Sequence, residues 1–529
     1  MKRSAPLQPR LVAILTLCVL TIACGGGPKP APRGYVQATA NPLVAQYTVA
    51  SPCAGQAMVE FGPDTSYGRS TAWYPVSTMF SPSHTFQQTN ILVAGMRASS
   101  IYHMQSQVEC LDGNVFATPD LTFTTGPLPS LAFPTLSVSR PAPSPSSPEN
   151  AGIELIDVIG DGAPPFFTDR DANPIWYYDV GQGNYAETFK LLPNGHMVMS
   201  IERANLPSLL SEVDLAGNVI REMDVNALAG KMQAAGFDFI PAIYHHDFIP
   251  MANGHLIVLT NSTQNFADVP GYGAIAVVGD NIIDLDQNWN PVWAWNTFDH
   301  LDQIPVTRHL NGLPDWTHSN ALVYTAADGN LLISMRHQSW ILKIDYNNGA
   351  GPGDIIWKLG YQGDFALTQG DVPSDDPSLW FSFQHFPSLI GQNGSQTTLA
   401  IWDNGDFRPL DLDNDLCSPF VGTGVACYSR ATIFQLDESA KVANLLWDNS
   451  PGDFGNWGGS INQLSNGNVE YDINALTPPP VSNLASEVQE VTQTSPPQIV
   501  WQLDFTPATA TAYRAYRVPS LYPEVTWPY

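Results

Sequence analysis

Eleven histidines lie along the chain, and five of them keep polar company at the edges of apolar runs. Tyr244-His245-His246-Asp247-Phe248 stands just before an Asn-Gly turn, and Asp315-Trp316-Thr317-His318-Ser319-Asn320 does the same one repeat later. Ser334-Met335-Arg336-His337-Gln338-Ser339 ends the strand after that second turn, and Phe383-Gln384-His385-Phe386 precedes the apolar run Thr398–Trp402. An imidazole among apolar strand residues is costly unless it is hydrogen-bonded or used. As a neutral ring it is a nucleophile, and with a pKa near working pH it also carries protons. A guanidinium adds a planar, permanently charged fork for two oxygens of an anion. His337 is read as structural, because successive strand side chains alternate and Arg336 takes the other face. His84, His103, His196, His255, His300 and His309 read as solvated or structural rings.

Elements that would converge these residues recur along the chain. Leu192-Pro-Asn-Gly-His, Met251-Ala-Asn-Gly-His, Ala327-Asp-Gly-Asn and Leu464-Ser-Asn-Gly-Asn each precede an apolar strand. Asn-Gly and Asp-Gly are tight-hairpin dipeptides, since their central positions need positive φ. A second element, an apolar strand that often ends in Trp, recurs near Trp176, Trp293, Trp357, Trp447 and Trp501. The spacing is that of a propeller blade with its loops, and about six units fit. The expected fold is all-β: a six-bladed β-propeller over 151–529. Ahead of it, residues 36–127 alternate as short strands between turns, the pattern of a small immunoglobulin-like or fibronectin-like β-sandwich. Residues 128–150 are rich in Pro and Ser and read as a linker.

Composition narrows the class. The net charge of −27 gives a field that repels nucleic acid and anionic membrane surfaces. Lys2, Arg3 and Arg10 precede an apolar run from Leu11 to Ile22, so residues 1–23 read as a signal peptide. Thr21-Ile22-Ala23-Cys24 resembles a bacterial lipobox with Cys24 as the acylated residue, although Leu is usual where Thr21 stands. The expectation is an exported lipoprotein, periplasmic or at the cell surface, that touches membrane only through its anchor. Cys53, Cys110, Cys417 and Cys427 remain, an even number that reads as two local disulfides, Cys53–Cys110 and Cys417–Cys427. Asp411-Leu412-Asp413-Asn414-Asp415 alternates oxygens but lacks a complete calcium-loop spacing, so no metal is expected.

The histidine segments, with Trp402-Asp-Asn-Gly, Trp457-Gly-Gly-Ser and the ending Tyr513-Arg-Ala-Tyr-Arg-Val-Pro, resemble those of the bacterial arylsulfotransferases that do not use the nucleotide donor PAPS. The resemblance runs in order from about residue 155 to the C-terminus. It implies a cofactor-free enzyme in which a histidine takes the sulfuryl group from an aryl sulfate and passes it to a phenol. His385 matches the nucleophile, Arg336 the sulfate-binding arginine, and His318 an active-site histidine with Asn320 two residues on. His246 is preferred over His245, because an acidic residue follows it directly as in the family pattern. His245 and Asn320 are carried as substrate-binding candidates. One departure is that no Cys lies between Arg336 and His385, where periplasmic members carry a close pair. The rival reading is a non-catalytic exported propeller that binds glycans or proteins. Whether the chain forms a homodimer stays open.

Overall fold

The computed structural model describes residues 31–78, 88–141, 151–301, 314–413, 415–420, 422–474, 485–506 and 510–528. The signal segment, Cys24, His84, His309 and residues 142–150 lie outside the described residues. Within them the chain is all-β, with short helices only; Val225–Ala235 is capped by the Asp224 carboxylate and closed by Gly236 at φ 87°. No described helix is long and apolar enough to cross a membrane.

The N-terminal unit is two small sheets. Arg33–Ala38, Ala45–Ala50 and Thr89–Val93 form one, and Gly55–Gly62 with Ile101–Cys110 centres the other. In Ile101–Cys110 buried and accessible residues alternate, the period-two signature of a strand with one face on a core. Tyr47, Val59, Phe61, Ile91, Val93 and Met104 fill that core, and Cys53 is bonded to Cys110.

Six further sheets follow. Four-stranded meanders run over 184–224, 243–296 and 319–359, and a larger sheet is built on His385–Asn393, Gln396–Asp403, Arg430–Asp437 and Val442–Asn449. The last begins with Ser460–Gln463, and the first pairs Ile153–Ile159 with Thr511–Val518 from the far end of the chain. The leading strands Asn184–Leu191, Ile243–Pro250, Ser319–Thr325, His385–Asn393, Ser460–Gln463 and Thr511–Val518 pack each against the next. Residues 128–141 do not run as a free linker. Thr135–Arg140 pairs antiparallel with Ile499–Thr506, and Phe133 packs edge-on against Phe166 and Tyr177. The apolar residues Leu131, Phe133, Leu136 and Val138 between the prolines explain this, since they bury against the body.

The sequence repeats have physical causes. Gly195, Gly254 and Gly467 each sit at φ 83° in their turns, where a Cβ would be strained. Several tryptophans bury an apolar ring while the indole N–H finds a carbonyl in the next sheet. Trp176 donates to Leu215 O, Trp295 to Gly353 O and Trp501 to Arg170 O, each 2.9–3.1 Å away.

Candidate active site

His385 opens its strand opposite Trp402 and is buried. Asp403 anchors the approach to it, because its carboxylate accepts from Ser382 N–H at 2.9 Å, Arg408 Nη1 at 2.6 Å and Arg430 Nε at 2.8 Å. Phe383 and Phe386 flank the histidine in the left-handed region, φ 53° and 44°, a backbone that bulky residues adopt only when their surroundings impose it. Asn404 then fixes the ring. Its Nδ2 donates to Gly455 O (2.7 Å) and Gly458 O (3.0 Å), so its Oδ1 must face His385 Nδ1, 2.7 Å away. An amide oxygen only accepts, so the proton of the neutral ring sits on Nδ1 and Nε2 keeps its lone pair. A backbone N–H, that of Gly458, points at Nε2 from 3.2 Å. Burial, with help from Arg336, His318 and Arg514, holds the His385 pKa well below the usual imidazole range. The geometry is that of a neutral nucleophile.

Arg336 heads a single 3-10 turn, Arg336–Gln338, that follows the strand Asn330–Met335. That turn corrects the reading of His337. Strand alternation has already ended, so both side chains reach the same region, with Arg336 Nη1 3.1 Å from His337 Nε2. Arg336 Nη2 donates to Asn456 O at 3.0 Å, its guanidinium lies 4.9 Å over the Phe383 ring, and its Nε has no partner among the described residues. The His337 ring stacks on His318 at 4.7 Å, and its Nδ1 reaches Asp315 O at 2.8 Å. Burial and the neighbouring His318 and Arg336 lower its pKa to about 4. His318, at φ 46°, meets Asp315 Oδ2 through Nδ1 at 2.5 Å, an orienting contact of imidazole and carboxylate.

The His245–His246 pair divides. His246, at φ 55°, turns its ring edge-on to His318 (4.9 Å) and to Tyr513 (5.8 Å). Its backbone N–H donates to Glu187 Oε2 at 2.8 Å. His245 turns away into the interior, with Nε2 3.4 Å from Asp280 Oδ1. Asn320 is fully buried and donates to Gln384 O at 2.8 Å, which ties the His318 strand to the backbone before His385; its Oδ1 has no partner among the described residues. Arg514 sits beneath, bonded to Asn320 O (3.0 Å) and Asp247 Oδ1 (3.3 Å).

All six sheets thus supply a residue from, or just before, their leading strands: Glu187, His246, His318, His385, Gly458 and Tyr513. The sequence alone assigns no role to Asn404, Asp315, Glu187 and Tyr513. Asn404 stands in an Asp-Asn-Gly string that reads as a turn, and the signal of the segment around Tyr513 is its likeness to the family alone. The Tyr513 ring is 6.1 Å from His385, and its buried hydroxyl has no partner among the described residues.

Asp315, His318 and His337 offer three metal-ligand atoms within 4.8 Å of one another. They fit a cation poorly. The two rings stack instead of converging, and His337 Nε2 already faces the Arg336 guanidinium. Asp411 Oδ1 accepts from the backbone N–H groups of Asp413 and Asp415, a turn that satisfies itself. Cys417 and Cys427 are bonded to each other, and Cys417 N–H donates to Arg408 O at 3.0 Å, so the bridge braces the chain just beyond Asn404. A cavity of about 600 Å³ lies elsewhere, lined by Tyr67, Arg69, Arg97 and Tyr102, and there Arg97 is already paired with Asp169 and Asp171.

A family model described as Arylsulfotransferase (ASST) matches residues 149–517, well over half of the chain. No curated protein matches it. Among solved structures, a protein of unknown function from Bacteroides caccae is 11% identical over 69% of this chain and 99% of that chain, with a TM-score of 0.36. A Synechocystis apocarotenoid oxygenase is 12% identical over 93% of this chain and 96% of that chain, with a TM-score of 0.32. Likenesses this distant carry no argument. The match over 149–517, which spans every histidine of the site, does: the chain belongs to the arylsulfotransferase (ASST) family.

Proposed function

We propose that this protein is a PAPS-independent arylsulfotransferase that carries the sulfuryl group on His385. In this reading the six sheets are the blades of a β-propeller over 151–529, the histidines sit at its axis, and 36–127 is an immunoglobulin-like sandwich. His385 Nε2 attacks sulfur, the aryl C–O–S bridge breaks on the sulfur side, and phenolate leaves. A second phenol then takes the group back from the sulfohistidine. Charge in such a transfer spreads over the sulfuryl oxygens, so positioning and electrostatic support dominate. Arg336 supports those oxygens, His318 and His246 serve the phenol oxygens, and Asn320 and His245 hold the surroundings. No cofactor enters. Export with a lipid on Cys24, to the periplasm or the cell surface, goes with the two disulfides.

The observation that carries this reading is the ring of His385, whose tautomer Asn404 fixes so that the lone pair is on Nε2, met only by the Gly458 N–H at 3.2 Å among the described residues. The mature protein should release phenol from a chromogenic aryl sulfate, and faster when a second phenol is added. No release, or full activity in His385→Ala, overturns the proposal.

A further inference from the structure

The site holds a pair of adjacent imidazoles whose hydrogen bond leaves room for only one proton. His245 Nδ1 and His246 Nδ1 are 2.9 Å apart, so one ring donates and the other accepts. The other nitrogen of His245 lies 3.4 Å from Asp280 Oδ1, within ion-pair reach. Asp280 is itself pinned, its Oδ2 accepting from Thr317 Oγ1 at 2.5 Å and Ser319 N–H at 2.7 Å. The remaining nitrogen of His246, Nε2, belongs to the ring that lies against His318 and Tyr513.

We propose that His245, backed by Asp280, stores the proton that His246 hands to the departing phenol, so that the two rings work as one relay. This rests on the sulfuryl-transfer reading above. In the resting state His245 is an imidazolium that donates Nδ1–H to His246, which fixes the neutral His246 as its Nε2–H form. When the bond between sulfur and the aryl oxygen breaks, Nε2–H of His246 passes to the phenolate oxygen. His246 Nδ1 takes the Nδ1 proton of His245, and His245 becomes neutral with Nε2–H toward Asp280. The neutral His385, the cationic relay and the aryl sulfate monoanion sum to zero charge. So do the sulfurylated His385 (a ring cation bearing an anionic sulfuryl group), the neutral relay and the phenol. The second phenol reverses every step, and the proton returns to His245 without passing through solvent.

The electrostatics agree. Burial opposes a charge on His245, yet Asp280 and Glu187 outweigh it and raise its pKa. Burial and the neighbouring His318, His245, His385 and Arg514 hold His246 far below the usual range. One ring keeps the proton and the other passes it on. Glu187 is the competitor, since its Oε1 lies 3.3 Å from His246 Nδ1, and beyond it stands Glu202, which burial and Glu187 push up to about 7.

The test varies the leaving group. In His245→Asn, turnover of phenyl sulfate, which leaves as a basic phenolate, should fall about 10²–10⁴-fold, while 4-nitrophenyl sulfate, whose phenolate needs little protonation, falls far less. Equal losses on both donors would make His245 merely structural and overturn the relay. The same leaving-group dependence in Glu187→Gln but not in His245→Asn would assign the proton to Glu187. A wild type that releases phenol from neither donor overturns the transfer reading instead. The relay has a separate readout in ¹⁵N NMR of histidine-labelled protein. One imidazolium should persist above the ordinary histidine range and become neutral in Asp280→Asn, and its absence overturns the relay whatever the turnover.

Discussion

Two buried arginines in this protein are held in opposite ways. Arg517, where the last sheet meets the first, is saturated. Its Nε donates to Glu154 (2.9 Å), its Nη1 to Glu490 (2.9 Å) and its Nη2 to Glu470 (2.5 Å). Arg336 has no carboxylate within ion-pair distance among the described residues; it touches a ring nitrogen, a carbonyl and the face of Phe383, and one of its N–H groups stays unmet. Saturation marks a charge whose task is to close the fold. A buried donor left unmet marks a charge kept for something that arrives.

Substitution should separate the two. Arg517→Met takes the guanidinium from three buried carboxyl groups, leaving Glu154 and Glu490 to Arg170 and Glu470 with no ion pair among the described residues, and should cost about 3–5 kcal/mol in urea unfolding. Arg336→Met should change stability by about 1 kcal/mol or less, yet lower kcat/KM roughly 10²–10³-fold. The reverse pattern would break the comparison. Asn404→Ala, which frees the His385 tautomer, should lower kcat about 10²-fold with little change in KM, as read from donor-concentration series.

The two regions should also respond to pH with opposite sign. His337 has a folded pKa near 4, so the unfolded chain binds the extra proton below about 6.5. Its contribution is intact above 6.5 and is lost as pH falls toward 4, about 3 kcal/mol, and His337→Phe should flatten that fall. Glu470 at the seam is raised to about 8 by burial, against the pull of Arg517. Its contribution is present below about 4.5 and is lost as pH rises through 8, so Glu470→Gln should flatten the loss on the alkaline side. Unfolding of each variant across pH 4–9 reads both slopes. The smallest effect is expected for Arg336→Lys, which keeps the charge and loses the fork, at about tenfold in kcat/KM.

Much of this was legible in the sequence because it is local. The Asn-Gly turns, the tryptophan-ended strands and the close pair Cys417 and Cys427 carry their own chemistry, and the histidine segments stand out against apolar flanks. What stayed hidden depends on partners far along the chain. Thr135–Arg140 reads as part of a proline-rich linker until Ile499–Thr506 pairs with it. His337 reads as facing away from Arg336 until the backbone leaves the strand for a 3-10 turn. Asn404 gains its meaning only from the carbonyls of Gly455 and Gly458, which point its oxygen at His385. Left-handed backbone at His246, His318, Phe383 and Phe386 gives no sequence signal at all, since none of these is glycine.

The central claim is that His385 carries the group. Mixing the protein with an aryl sulfate in the absence of a phenol acceptor, quenching under alkaline conditions and mapping peptides by mass tests it most directly. The expected result is one acid-labile SO₃ adduct on His385, formed with a stoichiometric burst of phenol and discharged when phenol is added. A burst with the adduct on another residue, or steady transfer to phenol with no adduct at any time, would contradict it.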